Sequence, residues 1–196
     1  MEFDRRGVKV GAGLRSVTNR RVFAVGDAAG GAQFTHLAGY HAGVVIRQAV
    51  LGLPAKARTD HIPRVTYTDP ELAQIGPTEA EARTAWGDRL TVTRAEFHHN
   101  DRAQAMGEAE GFAKLLVARG RVVGATVVGP HAGEVLAPLA LAVSARMKVS
   151  ALAGVVLPYP TLAEVAKRAA GAYFSPKLFD NAALKRVVRL VQRILP

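Results

Sequence analysis

The hydrophobic pattern of this sequence changes between residues 55 and 63, where charged residues, Thr and Pro mix without a period. Before this stretch, one apolar run leads through small residues into a single helical pattern. After it, short strand patterns follow one another and the helical patterns are grouped, which is typical of an antiparallel sheet in an α+β domain. We therefore predict an α/β segment at 1–57, an α+β domain at 58–180 and a separate basic helix at 181–196.

The first segment has the order strand, glycine-rich loop, helix. Residues 22–27 form an apolar run that ends in Gly26 and Asp27, which predicts a buried parallel strand whose carboxyl end opens into a loop. Small residues follow, and a helix is predicted at 36–51. Its flanking signals are an N-cap at Thr35 and stops at Gly52 and Pro54.

Asp27 and the helix that follows it together indicate a ligand site. A carboxylate directly after a buried strand suits hydrogen bonding to a sugar or polyol hydroxyl, although Asp27 would look the same if it only capped its loop. The helix that begins near Thr35 offers backbone N–H groups and a positive dipole end. Both favour an anion or an electron-rich ring edge.

The second segment is predicted to contain five strands and four helices. Its clearest element is a hairpin around Gly120, a residue that adopts positive φ without strain. The last helix begins with Thr161 as a candidate N-cap and Glu164 three residues on. The predicted strands are 65–68, 72–75, 90–97, 112–117 and 122–128, and the predicted helices are 78–85, 131–147, 150–154 and 161–171.

Composition excludes several classes of function. The 196 residues include no cysteine, so the chain has no disulfide, thiolate metal site or thiol redox chemistry of its own. Uncharged stretches such as 135–144 fall short of the roughly 20 apolar residues that span a bilayer, so no transmembrane helix is expected. The N-terminus has no apolar run of a secretory signal, and a cytoplasmic location is expected.

The formal net charge of +10 raises the question of a nucleic-acid partner. The excess lies at the ends: 8 basic against 3 acidic residues in 1–57 and 4 against none in 181–196, compared with 14 against 13 in 58–180. Basic ends on a neutral domain are more often solvated flanks than a binding groove. We therefore expect no nucleic-acid partner.

Several separated motifs resemble one family, the pyridine nucleotide-disulfide oxidoreductases. Residues 22–28 with the helix start Thr35-His36-Leu37-Ala38 resemble its second flavin motif. Residues downstream resemble its dimerisation domain in order and spacing, and the resemblance runs from about Gly7 to Phe174. The downstream motifs are 67–73, Gly76, Thr78-Glu79, Asp101-Arg102-Ala103, 111–115, Gly124 and Gly133-Glu134.

The resemblance implies a flavin-binding α/β segment followed by an α+β dimerisation domain with an antiparallel sheet and helices. It implies FAD as the cofactor, NAD(P)H as reductant of the full-length enzyme, and a homodimer. The chain contains no Gly-x-Gly-x-x-Gly motif and no Cys-x4-Cys pair, so an N-terminal polypeptide is expected to supply those parts. The cofactor-binding residues implied are Gly26, Asp27, His36, Leu37 and Ala38.

The resemblance also assigns catalytic roles to Tyr159 and Glu164. In the family, a His near the C-terminus acts as acid and base across the dimer and a Glu orients it. Here Glu164 matches, but Tyr159 stands at the histidine's place, as in the mercuric reductase branch. A tyrosine titrates near pH 10, so it does not replace a general base at neutral pH without a large shift. The alternative is an interface aromatic in a proline-rich turn.

Two further features have alternative interpretations. No metal site is expected, since no Cys or His-x3-His pattern accompanies the six histidines, and His36 is either flavin-facing or simply solvated. The apolar stripe of the basic C-terminal helix packs on the domain or a partner subunit, or it lies on an anionic membrane surface, which we consider the less favoured option. The stripe consists of Leu184, Val187, Val188, Val191 and Leu195.

The role of the whole chain has two interpretations as well. In the first, the chain is part of an FAD-dependent oxidoreductase and contributes to its flavin site and its homodimer interface. In that case the predicted helix at 131–147 and the turn at Tyr159 would form the interface patch. The second is a stand-alone dimerisation or interaction module without flavin or catalysis.

Overall fold

A computed structural model describes residues 1–194, without the Lys177 side chain, and its chain divides into two compact units. Unit 1 is Met1–Ile62 and unit 2 is Pro63–Pro196. Unit 1 contains strands β1 (Phe3–Asp4) and β2 (Gly7–Val8), a 3-10 turn at Gly26–Ala29 and helix α1 (Thr35–Ala49). β1 and β2 pair antiparallel.

The predicted parallel strand at 22–27 is wrong. Its first residues pair locally and antiparallel with residues 14–16: the Ser16 N–H donates to the Val22 carbonyl at 2.9 Å, and the Ala24 N–H to the Leu14 carbonyl at 3.0 Å. The apolar run thereby satisfies its backbone within a short hairpin-like loop, and Ala24 and Leu14 are buried. A short apolar run indicates burial but does not identify its hydrogen-bonding partner.

Helix α1 begins one residue before its predicted start. Thr35 is the first helical residue and Phe34, in extended conformation, is the N-cap. The helix turns Leu37, His41 and Val44 inward at the i, i+4, i+7 spacing of a buried face.

Unit 2 is a five-stranded antiparallel sheet with helices on both faces. The strands are β3 (Arg64–Thr66), β4 (Glu71–Ile75), β5 (Leu90–Glu96), β6 (Phe112–Ala118) and β7 (Arg121–Gly129). The helices are α2 (Glu79–Trp86), α3 (Asp101–Met106), α4 (Ala132–Ser144), α5 (Val149–Gly154), α6 (Glu164–Ala172), α7 (Ser175–Phe179) and α8 (Ala182–Ile194). The order of the strands in the sheet is β3-β4-β7-β6-β5. The side chains alternate between the two faces as a pleated strand requires: on β6, Leu115 and Val117 face the main core, while Leu116 faces a smaller cluster under α2.

The predicted hairpin is confirmed as β6 and β7. Arg119 and Gly120 join the strands with φ of 51° and 74°. Positive φ at both central residues matches the twist of the flanking strands, which is why this turn type closes two-residue hairpins. The sequence indicated Gly120 for this role and missed the same conformation at Arg119.

Helices α4 and α6 cover the main face of the sheet. α4 packs on β4 and β7, and α6 packs on β5 and β6. The Glu71 carboxylate accepts a hydrogen bond from the Gly133 N–H at 3.0 Å, which places a negative charge at the N-terminus of α4.

The structure qualifies two helix predictions in unit 2. The apolar side of α4 is buried in its own domain, since Leu136, Leu139 and Val143 all lie in the main core. The exposed side of α4, which carries Leu141, is therefore the part of this helix that is available to the predicted interface patch, and the patch stays a prediction. The prediction of Thr161 as the N-cap of α6 is wrong.

Candidate functional site

In unit 1, a buried histidine fixes the glycine-rich loop. The His41 Nδ1 accepts a hydrogen bond from the Gly26 N–H at 3.1 Å, and His41 is only 5% exposed. Burial lowers the pKa of His41 below its ordinary value, because the imidazolium is poorly solvated there. A neutral ring with an accepting Nδ1 is therefore the form that holds the loop.

Gly26 is required by contact as well as by conformation. Its φ is +54°, and a Cβ at this position would lie 2.8 Å from the Ala38 Cβ. The loop thus sits directly against the first turns of α1. Two of the predicted cofactor-binding residues, Gly26 and Ala38, are in this way brought together by packing.

The other predicted cofactor-binding residues differ in exposure. Asp27 and His36 are exposed, and the His36 ring stacks on Phe34 at a centroid distance of 5.1 Å. Leu37 is buried, so its side chain belongs to the core of unit 1. The backbone N–H groups of Leu37 and Ala38 both donate to the Phe34 carbonyl at 3.1 Å, so these two groups are already occupied.

In unit 2, the proline-flanked turn presents Tyr159 to solvent. The ring is 67% exposed, and its hydroxyl donates to Oδ2 of Asp101 at the start of α3. This hydrogen bond raises the pKa of Tyr159 above its ordinary value, and the negative charge of Asp101 adds to the effect. The phenol is consequently held protonated as a donor.

Glu164 does not accept the hydrogen bond of the Tyr159 phenol. It is half-buried in the first turn of α6, where its carboxylate is favoured by the helix dipole, while the hydroxyl of Tyr159 points to Asp101. Glu164 contributes to the raised pKa of Tyr159 only as a nearby negative charge. The Thr161 hydroxyl donates to the Pro158 carbonyl and so stabilises the turn instead of capping α6.

A fully buried asparagine anchors this turn to α3. The Asn100 Nδ2 donates to the Thr161 carbonyl at 3.0 Å, and its Oδ1 accepts from the Ala103 N–H at 3.0 Å. Asn100 therefore caps the N-terminus of α3 and also connects the proline-flanked turn to this helix end. Sequence reasoning missed Asn100 and the role of Asp101, although an Asn followed by an acidic residue is a helix-start signal.

Beside the turn, unit 2 carries an apolar cleft of about 130 Å³. Leu157 from the segment after α5 lies opposite Pro138 and Leu141 of α4. Val156 in the same segment is 90% exposed. Leu141 on the cleft rim and Tyr159 in the turn are also exposed.

Two other features are absent from residues 1–194. No group of three or more His, Asp or Glu side chains in this part of the chain is placed to hold a metal ion. No helix among the described residues is both long enough and apolar enough to cross a membrane.

Residues 62–170, more than half of the chain, match the family described as "Pyridine nucleotide-disulphide oxidoreductase, dimerisation domain". The chain belongs to the pyridine nucleotide-disulphide oxidoreductase family. The resemblance stated from the sequence is therefore confirmed, and the sheet with its helices is the dimerisation domain of that family.

Relatives of this oxidoreductase family are similar over most of the chain. Dihydrolipoyl dehydrogenase of Geobacillus stearothermophilus is 36% identical over 151 residues, which are 76% of this chain and 32% of the relative. Dihydrolipoyl dehydrogenase 2 of Haloarcula marismortui is 37% identical over 153 residues, 77% of this chain and 32% of the relative. The chain thus spans about a third of the length of these relatives.

Solved structures of the family share the fold. LpdA from Mycobacterium tuberculosis superposes with a TM-score of 0.78 and 26% identity, covering 84% of this chain and 36% of that one. The Cu(II) complex of RclA, a HOCl-induced flavoprotein disulfide reductase from Escherichia coli, superposes with a TM-score of 0.77 over 87% of this chain and 39% of that one. At 22% identity, the second likeness shows the fold alone.

Proposed function

We propose that this chain provides the dimerisation domain and part of the flavin site of an FAD-dependent pyridine nucleotide-disulfide oxidoreductase. The observation that carries the proposal is the match of residues 62–170 to the family's dimerisation domain. In this proposal, an N-terminal polypeptide supplies the remaining nucleotide-binding and redox parts, and NAD(P)H is the reductant. We also propose that the protein is cytoplasmic, as expected from the sequence.

Two observations support a flavin-binding role for residues 1–57. The similarity to LpdA covers 84% of the chain, which is more than residues 63–196 contain, so it extends into unit 1. The loop also fits the group chemically: the Asp27 carboxylate is exposed, and a Cβ added at Gly31 would meet nothing within 4 Å. The small residues around it leave room for a cofactor.

FAD, when bound, supplies the electron-transfer chemistry of the enzyme. In this proposal, Asp27 accepts a hydrogen bond from a hydroxyl of the cofactor, and Gly26 lets the loop lie against α1. His36 and the amino end of α1 would hold the electron-rich part of the ring system, for which the helix dipole would be favourable. Leu37 and Ala38 act through packing, since their N–H groups donate to Phe34.

The homodimer interface is proposed to include Val156, Tyr159 and Leu141. All three side chains are exposed, and we propose that they form one apolar surface of a domain whose family pairs such domains. Tyr159 would meet the partner's redox centre by stacking, or as a hydrogen-bond donor after exchanging its hydrogen bond to Asp101. Its raised pKa excludes action as a base at neutral pH. Glu164 has an electrostatic role beside it. The likeness of Tyr159 to the mercuric reductase branch does not extend to mercury activity, since the chain has no cysteine.

The flavin part of the proposal is tested by FAD titration of the purified chain, followed by flavin fluorescence. We expect weak, saturable binding that Asp27→Asn weakens further, while Asp4→Asn, also in unit 1, leaves it unchanged. Tight stoichiometric binding would contradict the need for an N-terminal polypeptide. The absence of any saturable binding would favour the alternative, a stand-alone dimerisation module without flavin.

The dimer part is tested separately by light scattering. We expect a mass of twice 20.8 kDa at micromolar concentrations. Val156→Asp should shift the mass to that of the monomer, because it places a charge in the apolar surface. Val50→Asp, at an exposed valine in unit 1 (74%, against 90% for Val156), is the matched control. A monomeric wild type would overturn the proposed interface.

A further inference from the structure

Helix α8 lies beyond the residues that match the family's dimerisation domain. Its start is well specified, since the Asn181 Oδ1 accepts hydrogen bonds from the N–H groups of Ala183 and Leu184 at 3.0 and 3.1 Å. This is a helix N-cap. The predicted C-terminal helix is thus present, although Leu195 of its stripe lies outside the described residues.

The side chains of α8 are divided into two sectors. At 3.6 residues per turn, the apolar side chains occupy nearly half of the helix circumference, and the basic side chains occupy the opposite sector. No acidic residue is present in 181–194. The apolar residues are Leu184, Val187, Val188, Leu190, Val191 and Ile194, and the basic residues are Lys185, Arg186, Arg189 and Arg193.

The apolar sector is not covered by the domain. None of the described residues of α8 is buried, and Leu184 alone among them is half-buried. The expectation that this stripe packs on the domain is therefore wrong for residues 182–194. Helix α7 adds to the exposed sector: Leu178 and Phe179 line an open groove of about 450 Å³ together with Leu184 and Val188.

We propose that α8 binds the surface of an anionic phospholipid bilayer, with its apolar sector in the boundary of the acyl chains and its basic residues at the headgroup phosphates. Charge complementarity identifies this occupant: four cations and no anion flank the apolar sector, as in helices that lie in the plane of anionic membranes. Its 13 described residues are too few to span the hydrocarbon core, so the helix lies on the membrane.

Two other occupants fit the helix less well. Pairing with α8 of a second copy would need a narrow seam with complementary flanking charges, whereas this sector is broad and every charged residue beside it is positive. A nucleic acid would engage the basic sector only and leave five exposed large apolar side chains in water. The inference depends on α8 and α7 and is independent of the proposed flavin role.

The test is flotation of the full chain with vesicles of phosphatidylcholine alone or phosphatidylcholine mixed with phosphatidylglycerol. We expect binding to the mixed vesicles, little to phosphatidylcholine alone, and weakening as salt is raised. Arg189→Gln should lower the partition onto mixed vesicles roughly fivefold. Failure to float with the anionic vesicles at low salt would overturn the proposal.

A charge-conserving variant separates amphipathicity from net charge. The double change Arg189→Val with Val191→Arg keeps the composition but places a cation in the apolar sector. We expect it to lower partition about tenfold or more. Ile46→Arg with Arg47→Ile, an exposed pair in α1, is the composition-matched control. If the α8 swap leaves vesicle binding undiminished, the proposal is overturned and electrostatic attraction alone accounts for the binding. If the swap instead lowers the mass measured by light scattering, the proposal is overturned in favour of pairing between copies.

Discussion

The Tyr159 hydroxyl donates a hydrogen bond to the Asp101 carboxylate, which joins the proline-flanked turn to the first turn of α3. Asn100 beside it donates to the Thr161 carbonyl of the same turn. Two consecutive side chains at the start of α3 thus hold one segment 58 to 61 residues later in the sequence. The direction of the exposed phenol is fixed by these contacts as well as by its flanking prolines.

Asp101 controls the ionisation of Tyr159. Asp101→Asn keeps an acceptor oxygen but removes the negative charge, so the pKa of Tyr159 should fall toward its ordinary value. Ultraviolet difference titration measures this change in pKa. Because the chain has four tyrosines, the titration curve of Tyr159→Phe is subtracted to leave the signal of Tyr159. Glu108→Gln, an exposed carboxylate elsewhere on unit 2, is the control. An unaltered Tyr159 titration in Asp101→Asn would show that the hydrogen bond does not persist in solution.

In the full-length oxidoreductase, Tyr159→Phe should lower turnover by about ten- to a hundredfold, the scale of one positioned donor. Glu164→Gln should lower it less, since Glu164 does not share the phenolic hydrogen bond. Turnover and dimer mass are measured on both variants. If Tyr159→Phe turns over at the wild-type rate, Tyr159 is an interface aromatic, and Tyr159→Ala should then weaken the dimer.

Local sequence signals predicted the elements that depend on neighbouring residues. The β6–β7 hairpin followed from Gly120 between two apolar runs, and the amphipathic character of α8 from its own period. Contacts across long separations were not predictable in this way. The sequence alone does not show that Asn100 bonds to Thr161, because the two residues are far apart in the chain. In the same way, the apolar run at 22–27 finds its hydrogen-bonding partners in residues 14–16 and not in a parallel sheet.

The anchoring role of Asn100 makes it sensitive to truncation. Asn100→Ala leaves the Thr161 carbonyl and the Ala103 N–H without their partner, and should lower the free energy of unfolding by about 1–3 kcal/mol. Gln104→Ala removes an exposed hydrogen bond nearby and should change stability little. Urea unfolding measures both. Equal effects of the two changes would contradict an anchoring role.

Gly111 is required by close approach at the start of β6. Its φ is +107°, and an added Cβ would overlap the Val128 carbonyl oxygen of the neighbouring strand. Gly107 also has positive φ, at +71°, but a Cβ there would meet nothing within 4 Å. Gly107→Ala should therefore cost only about 1–2 kcal/mol of backbone strain, and Gly111→Ala distinctly more. Thermal unfolding of the two variants, compared side by side, tests the difference.

The buried His41 should make unit 1 sensitive to acid. Its pKa is lower in the folded chain than the ordinary value of 6.5, so the unfolded chain takes up the proton first as pH falls. The stabilisation that depends on neutral His41 is thus fully present above pH 6.5, and it is lost as the pH falls from there through the pKa of His41 in the folded chain. His41→Leu should remove this slope and, by leaving the Gly26 N–H without its acceptor, lower stability at neutral pH by about 1–3 kcal/mol. Urea unfolding followed by circular dichroism across this range measures both effects. His36→Gln, at an exposed histidine on the same helix, should keep the dependence of stability on pH. Loss of that dependence in His36→Gln would mean that His41 is not its source.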